Sequence, residues 1–375
     1  MSYRVLLTGG GSGGHVYPLV AVAEALQKNA KEHGIKLEIM VMGDGDFIES
    51  VARENNFRFR RVVSGKLRRY FSFKNIADLF KFPIGFIQAM WHVFWFMPDA
   101  IFAKGGYASV LPALAGRIYL IPLFLHETDS IPGLANRILA KRAKKIFISF
   151  NKSADYLNKS KIIFTGNPVR SGLFGESKEV AMSYFKLNPA LPTLLILGGS
   201  QGAQTLNNAI LDGLVRLTEK FQIIHQCGDA NLPTFKSDIE KIISEGAGSY
   251  GQIVSDRIKV FPFLNSQDLR MAYSACDVIV TRAGGALFEV AMAGKPAIVI
   301  PIAESSNNHQ ILNAIEFSQF GAVIIEENNL TESMLMGDIE RILKPENYGV
   351  LSENIKKFAQ PEASNIIART LLKIK

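Results

Sequence analysis

Arg4-Val-Leu-Leu-Thr8 is followed at once by Gly9-Gly-Gly-Ser-Gly-Gly14 and then by His15. The first five residues are mostly apolar, as in a buried strand, and Pro18 to Leu26 has the apolar spacing of a helix. A strand that meets a helix through a glycine-rich loop is typical of a Rossmann-like unit, because glycine lets phosphate approach the helix N-terminus. The stretch therefore predicts an α/β fold with a ligand near this loop.

The same order recurs in the second half of the chain. Thr193-Leu-Leu-Ile-Leu197 predicts a strand, Gly198-Gly-Ser-Gln-Gly202 a glycine loop, and Ala203 to Leu217 a helix. Short apolar runs predict further strands over residues 37–42, 100–103, 120–125, 223–226, 258–261, 278–281 and 297–300. Strands that alternate with helices indicate parallel sheets, so the chain is expected to form two doubly wound domains.

Glycine and proline in Thr165-Gly-Asn-Pro168 interrupt regular structure and predict the domain boundary there. The first domain is then expected over residues 1–165 and the second over residues 166–354. The last stretch, Asn354 to Lys375, has the composition of a charged helix.

Composition limits the class of protein. The 375 residues are 48% apolar and 20% charged, which is ordinary for a globular protein of about two domains. The two cysteines, Cys227 and Cys276, cannot form a disulfide framework, and together with an N-terminus that lacks a signal peptide they indicate a reducing cytoplasm. The net charge of +8 favours an anionic partner, and leaves nucleic acid, a membrane surface and a phosphorylated substrate open.

The most apolar run, Ile84 to Met97, is too short to span a bilayer, which needs roughly 18 or more apolar residues. It contains both tryptophans, Trp91 and Trp95, and it follows a group of basic residues: Lys66, Arg68, Arg69 and Lys74. One interpretation is a buried core helix. The other is an interfacial patch, in which aromatic side chains enter the membrane surface and the cations meet anionic lipid.

Few residues have the chemistry of an active site. His15 lies where ligands bind in such sheets, and histidine accepts a proton near neutral pH, so it is the candidate base. Ser200 with its loop, and Arg170, suit a phosphate, and Glu289 suits the hydroxyls of a ribose. The alternative for Ser200 and its loop is a plain tight turn, and the alternative for Arg170 is a surface ion pair. The alternative for Glu289 is an acid that stabilises the first turn of a helix. The six histidines are scattered, no metal site stands out, and no G-x-S-x-G motif occurs. These features favour transfer from a nucleotide donor.

An ordered set of motifs resembles the MurG family of UDP-N-acetylglucosamine transferases. These are Thr8-Gly-Gly-Gly-Ser-Gly-Gly-His15, Lys104-Gly-Gly-Tyr-Ala-Ser109, His126-Glu127, Gly166-Asn-Pro-Val-Arg170, Gly198-Gly-Ser-Gln-Gly-Ala203 and Ala283-Gly-Gly with Glu289. The matches run in one order from Val5 to about Asn313, so the resemblance covers most of the chain.

The resemblance implies a GT-B fold, in which two Rossmann-like domains face each other across a cleft, and a final helix at about 355–375 packs back on the first domain. It implies an inverting transfer of N-acetylglucosamine from UDP-N-acetylglucosamine to the muramyl 4-hydroxyl of lipid I, which gives lipid II with a β-1,4 linkage for peptidoglycan synthesis. It implies no cofactor and no nucleic acid. The expected location is the cytoplasmic face of the cell membrane, as a peripheral protein on an anionic surface.

The resemblance also assigns site residues by position. His15 is the first candidate for the base and Glu127 the second. The expected donor contacts are Ser12, Gly13, Gly14, Asp129, Arg170, Ser200, Leu264, Ala286, Leu287, Glu289 and Gln310. The expected acceptor contacts are His15, Tyr107, Asn136 and Asn207. Asp129 departs from the family, which usually has asparagine there, and adds a negative charge near the sugar.

Other functions stay open at this point. A second GT-B enzyme, such as a diacylglycerol glucosyltransferase or a UDP-sugar epimerase, would share most of these features. The first glycine loop alone also fits a nicotinamide-dependent oxidoreductase, and a nucleotide-sugar binder without catalysis is the third alternative.

Overall fold

The structure, a computed structural model, describes residues 2–10, 13–65, 73–199, 203–245, 250–303 and 308–374, and of residues 73–80 only the backbone. The chain divides into two compact units. Unit 1 comprises Met1–Arg170 and Gln360–Lys375, and unit 2 comprises Ser171–Ala359. The boundaries expected from the sequence, at residues 165 and 354, lie a few residues before these limits. The assignment of acceptor and donor to the two units stays a prediction.

Unit 1 is built on a seven-stranded sheet in the order β3-β2-β1-β4-β5-β6-β7, with every neighbouring pair parallel. Its strands are β1 (Tyr3–Thr8), β2 (Leu37–Gly43), β3 (Arg58–Arg61), β4 (Ala100–Ala103), β5 (Leu123–Glu127), β6 (Lys145–Ile148) and β7 (Ile162–Phe164). Its first helices are α1 (Gly13–Glu32), α2 (Asp46–Glu54), α3 (Phe73–Phe96), α4 (Val110–Ile118) and α5 (Leu134–Ala140). Apolar side chains from both faces of the sheet form two separate cores with these helices.

Unit 2 is built on a six-stranded parallel sheet in the order β10-β9-β8-β11-β12-β13. Its strands are β8 (Thr193–Leu197), β9 (Gln222–Gln226), β10 (Ile258–Phe261), β11 (Val278–Thr281), β12 (Ala297–Val299) and β13 (Val323–Ile324). Its helices are α6 (Lys178–Phe185), α7 (Gln204–Asp212), α8 (Leu214–Lys220), α9 (Leu232–Glu245), α10 (Tyr250–Arg257), α11 (Ser266–Ala275), α12 (Ala286–Ala293), α13 (His309–Ser318), α14 (Glu332–Leu343) and α15 (Pro345–Lys356). The predicted class, α/β with two Rossmann-like parallel sheets, is confirmed.

The expectation of one charged helix over Asn354–Lys375 is wrong. The segment contains the end of α15, which belongs to unit 2, and a separate helix α16 (Ala363–Leu372), which belongs to unit 1. The inner side of α16 is apolar, since Ile367 and Leu371 are fully buried in the same core as α1. Tyr3 Oη also donates a hydrogen bond of 2.7 Å to the carbonyl of Leu371. The apolar positions of α16 therefore tie the C-terminal segment to the first strand and helix.

Both sheets have a switch point at which the strand order reverses. In unit 1 the chain leaves β1 towards β2 on one side, and β4 lies on the other side of β1. In unit 2 the same holds for β8, with β9 on one side and β11 on the other. Ligands of doubly wound sheets bind outside the carboxyl ends of the strands at such points. The loops after β1 and β4, and after β8 and β11, are therefore the places to look for a site.

Candidate functional site

The loops after β1 and β4 approach each other closely in unit 1. A Cβ atom placed on Gly106 would lie 2.6 Å from the carbonyl oxygen of Gly10, and Gly106 has a φ of +79°. Only glycine fits both the close approach and the left-handed backbone. The sequence Lys104-Gly-Gly-Tyr is thus required by the contact between two loops at the switch point.

His15 lies beside this contact. It is the third residue of α1, directly after Gly13 and Gly14, and it is half-buried. A Cβ on Gly106 would lie 3.6 Å from His15 Cδ2, so the imidazole edge faces the loop after β4. Ser12, the preceding loop residue expected at the donor, lies outside the described residues. The candidate base is therefore at the switch point of unit 1.

Glu127 ends β5 and is buried, with 4% of its surface exposed. Its Oε1 accepts a hydrogen bond of 3.0 Å from the backbone N–H of Asp129. Its Oε2 accepts one of 3.1 Å from Gly133 N–H and one of 2.9 Å from Asn136 Nδ2. The carboxylate therefore organises the loop between β5 and α5, which is a structural role beside its expected role as the second candidate for the base.

Charged groups crowd around this carboxylate. Burial, and then the charge of Asp129, raise the pKa of Glu127 to about 7, against the lowering effect of its hydrogen bonds and of Lys104. Burial lowers the pKa of Lys104 to about 7, although Glu127 and Asp129 act in the opposite direction. Burial, with smaller contributions from the charges of Lys104 and His15, holds the pKa of His126 well below its usual value. Strongly perturbed groups in one place are typical of functional sites.

The predicted acceptor residues of unit 1 lie around the same edge of the sheet. Tyr107 begins the short helical turn after Gly106 and is half-buried, as is Asp129. Asn136 is buried on α5, and its Nδ2 also donates to the carbonyl of His126 at 3.0 Å. Its Oδ1 has no hydrogen-bond partner among the described residues. The structure thus brings His15, Tyr107, Glu127, Asp129 and Asn136 to one region, and their contacts with an acceptor stay a prediction.

Arg170 is buried rather than on the surface, which excludes the surface ion pair considered from the sequence. Its guanidinium carbon lies 3.8 Å from the centre of the Tyr17 ring, in a cation–π contact. Tyr17 is one half-turn beyond His15 in α1. The stacked ring fixes the orientation of a cation close to the first glycine loop, and Tyr17 is a residue that the sequence analysis did not single out.

Gln226 joins the loops after β8, β9 and β10 in unit 2. The sequence analysis did not single out this residue. Its Nε2 donates a hydrogen bond of 3.1 Å to the carbonyl of Gly199, and its Oε1 accepts one of 3.0 Å from Leu264 N–H. Leu264 itself is buried. Ser200, next to Gly199, lies outside the described residues. Gln226 could have been noticed as a polar residue that ends an apolar strand.

The loop after β11 leads into α12, where three donor contacts are expected. Glu289 stands in the first turn, and its Oε2 accepts a hydrogen bond of 2.7 Å from Tyr273 Oη. The backbone N–H of Leu287 donates to the carbonyl of Gly284 at 3.2 Å. The donor contacts expected of Ala286 and Leu287 are backbone N–H groups that face phosphate. The N–H of Leu287 already has an acceptor within the loop. Ala286 is the first residue of the helix.

The loop after β11 also contains one member of a largely buried ion pair, Arg282 with Glu327. Arg282 donates a hydrogen bond of 2.6 Å from Nη2 to Glu327 Oε1 and one of 3.1 Å from Nη1 to the carbonyl of Ile300. Glu327 Oε2 accepts a hydrogen bond of 3.0 Å from Ala303 N–H. The pair connects the ends of β11 and β12 to the segment after β13. The sequence signal for this pair was Arg282, a single charged residue between the buried strand β11 and the glycines that follow it.

Two predicted residues of unit 2 have clear local contacts. Gln310 Oε1 accepts a hydrogen bond of 3.1 Å from Ile302 N–H, so it joins the first turn of α13 to the residues just after β12. Asn207, expected at the acceptor, is fully buried: its Nδ2 donates to the carbonyl of Cys227, and its Oδ1 pairs with His225 Nε2, both at 3.0 Å. The structure places Asn207 in the core of unit 2, with no surface for a ligand.

Helix α3 packs one side on the core of unit 1, with Val93 and Phe96 buried, and exposes a row of large apolar side chains on the other side. Gly85 and Ala89 are buried, and a Cβ on Gly85 would lie 1.8 Å from the carbonyl oxygen of Val63. Five large apolar side chains are at least half exposed, which we call the aromatic face: Ile84, Ile87, Trp91, Phe94 and Trp95. Among the described residues, no helix combines the length and apolarity that crossing a membrane requires. The interpretation as a buried core helix is therefore wrong for this face.

Described basic residues flank the aromatic face. The edge strand β3 exposes Arg58, Arg60 and Arg61, and the guanidinium of Arg58 lies 5.9 Å from the ring centre of Phe96. Burial and the charges of Arg60 and Arg58 lower the pKa of His92 on α3, which places both arginines near that helix. Lys66, Arg68 and Arg69 lie outside the described residues, as does the side chain of Lys74.

No group of three His, Cys, Asp or Glu side chains that could hold a metal ion occurs in the described part of the chain. The polar side chains described around the two switch points are of several kinds: histidines, a lysine, carboxylates, amides and arginines.

Comparison with known proteins identifies the family. The N-terminal domain of glycosyltransferase family 28 matches residues 5–148, and its C-terminal domain matches residues 193–370. A protein of Treponema denticola named UDP-N-acetylglucosamine–N-acetylmuramyl-(pentapeptide) pyrophosphoryl-undecaprenol N-acetylglucosamine transferase is 37% identical over 330 residues, which cover 86% of this chain and 83% of that protein. A protein of the same name from Borrelia hermsii is 33% identical over 99% of this chain and 96% of its own length.

Solved structures agree at the level of the fold. A crystal structure of Acinetobacter baumannii MurG superposes with a TM-score of 0.70 at 24% identity, covering 99% of this chain and all of that one. A UDP-GlcNAc 2-epimerase from Neisseria meningitidis bound to UDP-GlcNAc superposes with a TM-score of 0.64 at 15% identity, over the whole of both chains. The fold is therefore GT-B, and it is shared by transferases and epimerases. The sequence relatives decide between them: the chain belongs to glycosyltransferase family 28, in the MurG family of UDP-sugar glycosyltransferases.

Proposed function

We propose that the chain transfers N-acetylglucosamine from UDP-N-acetylglucosamine to the muramyl 4-hydroxyl of lipid I, and so produces lipid II. The observation that supports this most is the identity of 33–37% over 330 to 375 residues with transferases named for that reaction. Two sites at switch points, one in each unit, suit an enzyme with two substrates.

Unit 1 is the proposed acceptor unit. His15 takes the proton of the 4-hydroxyl, the oxygen forms a bond to the anomeric carbon of the donor sugar, and the bond from that carbon to the UDP oxygen breaks. A single displacement of this kind inverts the anomeric centre and gives a β-1,4 linkage. Glu127, fixed by three hydrogen bonds, holds the loop that carries Asp129 and Asn136.

Unit 2 is the proposed donor unit. Glu289 accepts hydrogen bonds from the ribose hydroxyls, while the N-terminus of α12 stabilises the negative charge that develops on the diphosphate. Gln226 holds the loops of Gly199 and Leu264 at a fixed separation, which suits a planar base beside Leu264. Gly13, Gly14, Arg170 and Ser200 are the further proposed donor contacts, and Gln310 is the proposed contact to the sugar.

The aromatic face is the proposed membrane contact. Trp91 and Trp95 are 61% and 65% exposed, and their rings contact each other edge to face at 5.6 Å. Ile118 and Leu120, 55% and 77% exposed, extend the surface beside Phe94 through Tyr119. Exposed apolar area rimmed by cations is typical of interfacial binding to anionic lipid. The proposed location is the cytoplasmic face of the cell membrane, where a lipid-anchored acceptor is within reach.

The test is an assay of the full chain with UDP-N-acetylglucosamine and a lipid I analogue, in which UDP and the disaccharide product are both measured. We expect UDP release only when the acceptor is present. Conversion of the donor sugar without acceptor would identify an epimerase instead. Quenching of NADH fluorescence would favour an oxidoreductase, and donor binding without turnover would favour a binding protein.

A further inference from the structure

A lysine is buried at the switch point of unit 1, and no role for it follows from the reaction as described so far. Lys104 directly follows β4, and only 1% of its surface is exposed. Its Nζ donates a hydrogen bond to the hydroxyl of Thr128. A buried ammonium is unfavourable unless it is paired or hydrogen-bonded, so its surroundings have to compensate its charge.

The hydroxyl that binds Lys104 stands between two carboxylates in the chain. Thr128 is preceded by Glu127 and followed by Asp129, and the charges of both acids favour the protonated form of Lys104 and raise its pKa against burial. The other titratable groups that face this point are His126 at the end of β5 and His15 at the start of α1. One lysine, two acids and two histidines thus lie close together, with Lys104, His126 and Glu127 buried and His15 and Asp129 half-buried.

The charges of Lys104 and Asp129 have opposite effects on Glu127. Asp129 raises the pKa of Glu127 because two neighbouring negative charges repel, and Lys104 lowers it because opposite charges attract. The ionised form of Glu127 is the one that best accepts from Asp129 N–H, Gly133 N–H and Asn136 Nδ2. Loss of either neighbour alone therefore changes the loop after β5 through Glu127.

We propose that Lys104, whose ammonium bonds to Thr128 between the two acids, forms a compensating charge pair with Asp129 beside Glu127, and that this pair positions the loop from Glu127 to Asn136 in the acceptor site. Lys104 is in this view a positioning residue, since it acts through Glu127. The consequence for turnover rests on the proposed function, whereas the charge compensation itself does not. A purely steric role is the alternative, because Lys104 Cβ lies only 3.3 Å from where a Cβ on Gly9 would be.

Charge compensation and steric filling differ in what a second substitution does. K104M keeps most of the side-chain volume and removes the cation. D129N keeps the shape of residue 129 and removes the anion. If the charges compensate each other, the double variant K104M/D129N recovers most of what K104M loses. If Lys104 only fills space, D129N cannot repair K104M, and the two losses add.

The first measurement is the pH dependence of kcat/KM for the parent, the two single variants and the double variant. We expect K104M to move the acid limb of the profile upward by about one pH unit, which is about a tenfold loss of kcat/KM at pH values well below the parent's limb. D129N should move the limb downward, and the double variant should return it towards the parent. K141M, which removes an exposed lysine of the same unit, is the control and should leave the profile unchanged.

The second measurement needs no substrate: urea unfolding of the same four proteins at pH 7. Coupling between the substitutions, with K104M/D129N more stable than K104M, supports the charge pair even if the parent transfers no sugar, which would refute only the proposed function. If K104M does not fold but K104M/D129N does, this result also supports the charge pair. A double variant no better than K104M, in activity and in unfolding, would overturn the inference.

Discussion

Tyr273 Oη donates a hydrogen bond of 2.7 Å to Glu289 Oε2, and this bond joins α11 to the first turn of α12. Tyr273 is buried, so its hydroxyl has a fixed place and the carboxylate is oriented by a rigid partner. Glu289 is itself only partly buried, which leaves part of the carboxylate accessible. A carboxylate held in one orientation at a helix N-terminus is suited to accept hydrogen bonds from a vicinal diol.

We expect Glu289→Ala to weaken UDP binding at least tenfold, about 1.4 kcal/mol, because charged hydrogen bonds to the ribose are lost. Tyr273→Phe should cause a smaller loss, since the carboxylate remains but is less well oriented. Isothermal titration calorimetry with UDP measures both. Glu240→Ala, an exposed acid on α9 of the same unit, is the control. Unchanged UDP affinity in E289A would show that Glu289 does not hold the ribose.

We expect His15→Ala to lower kcat by about 10²–10⁴, the usual effect of losing a general base, while UDP affinity changes little. His33→Ala is a matched control, because His33 is exposed just beyond the other end of α1. Steady-state kinetics with the lipid I analogue and calorimetry with UDP separate the two effects. A near-normal kcat in H15A would make Glu127 the candidate base.

We expect the protein to sediment with anionic liposomes, and the double variant W91S/W95S to bind them at least tenfold more weakly. Each tryptophan that no longer enters the interface removes about 1.5 kcal/mol or more of apolar burial. The melting temperature should hardly change, because both side chains are exposed in the free protein. V350S, at an exposed valine of unit 2, is the control.

Charge reversal of Lys66, Arg68, Arg69 and Lys74 should also lower liposome binding, since each cation contributes about 1 kcal/mol of attraction to an anionic leaflet. High salt should weaken binding of the parent only in part, because the apolar contact is insensitive to screening. A parent that does not sediment with anionic vesicles would exclude the membrane contact, and equal binding by the parent and W91S/W95S would exclude the aromatic face.

Most of the strands with correctly predicted bounds are buried and largely apolar. β4, β8 and β11 have the predicted bounds, because a strand covered on both faces needs apolar residues at most positions. β10 also has the predicted bounds, although it is an edge strand that contains Lys259. β3 was missed because it is an edge strand with the sequence Arg-Phe-Arg-Arg, in which charge replaces apolar alternation. β13 has only two residues, too few for any pattern.

The orientation of α3 could not be predicted from its composition. The side of α3 that faces the core contains Val93 and Phe96 as well as Gly85 and Ala89, and at Gly85 the loop at Val63 approaches so closely that nothing larger fits. That approach depends on residues distant in sequence. Composition alone therefore could not show which of the large apolar residues of α3 lie on the outer side.

The proximity of some candidate residues could be inferred from sequence position alone. His15 and Tyr107 follow β1 and β4, Glu127 ends β5, and carboxyl ends of adjacent parallel strands meet at one edge. The roles of these residues stay predictions. Partners that depend on side-chain direction could not be inferred. Asn207 has the residue type of a ligand contact, but its amide pairs with His225 on β9, and only the packing of α7 on the sheet reveals this.

The pair Arg282–Glu327 leads to a prediction about stability. The side chains are 9% and 15% exposed, so solvent screens their interaction little. We expect Arg282→Met to lower the free energy of unfolding by about 3–5 kcal/mol, because Glu327 is left as an uncompensated buried charge. Lys220→Met is the control, since Lys220 forms an exposed pair with Glu340 and should cost at most about 1 kcal/mol. Equal losses in urea denaturation would contradict the prediction.

The same pair predicts how stability depends on pH. Burial alone would raise the pKa of Glu327, but the hydrogen bond from Ala303 N–H and the cation of Arg282 together lower it below the usual 4.5. Because the pKa is lower in the folded state than in the unfolded chain, the ionised carboxylate stabilises the protein above about pH 4.5, and this contribution disappears as the pH falls through the folded pKa. We therefore expect the difference in unfolding free energy between the parent and E327Q to be constant from pH 6 to 8 and to shrink below about pH 4.5. Urea denaturation of both proteins across this range measures the difference, and a value at pH 3 equal to that at pH 7 would show that Glu327 is not stabilised in its ionised form.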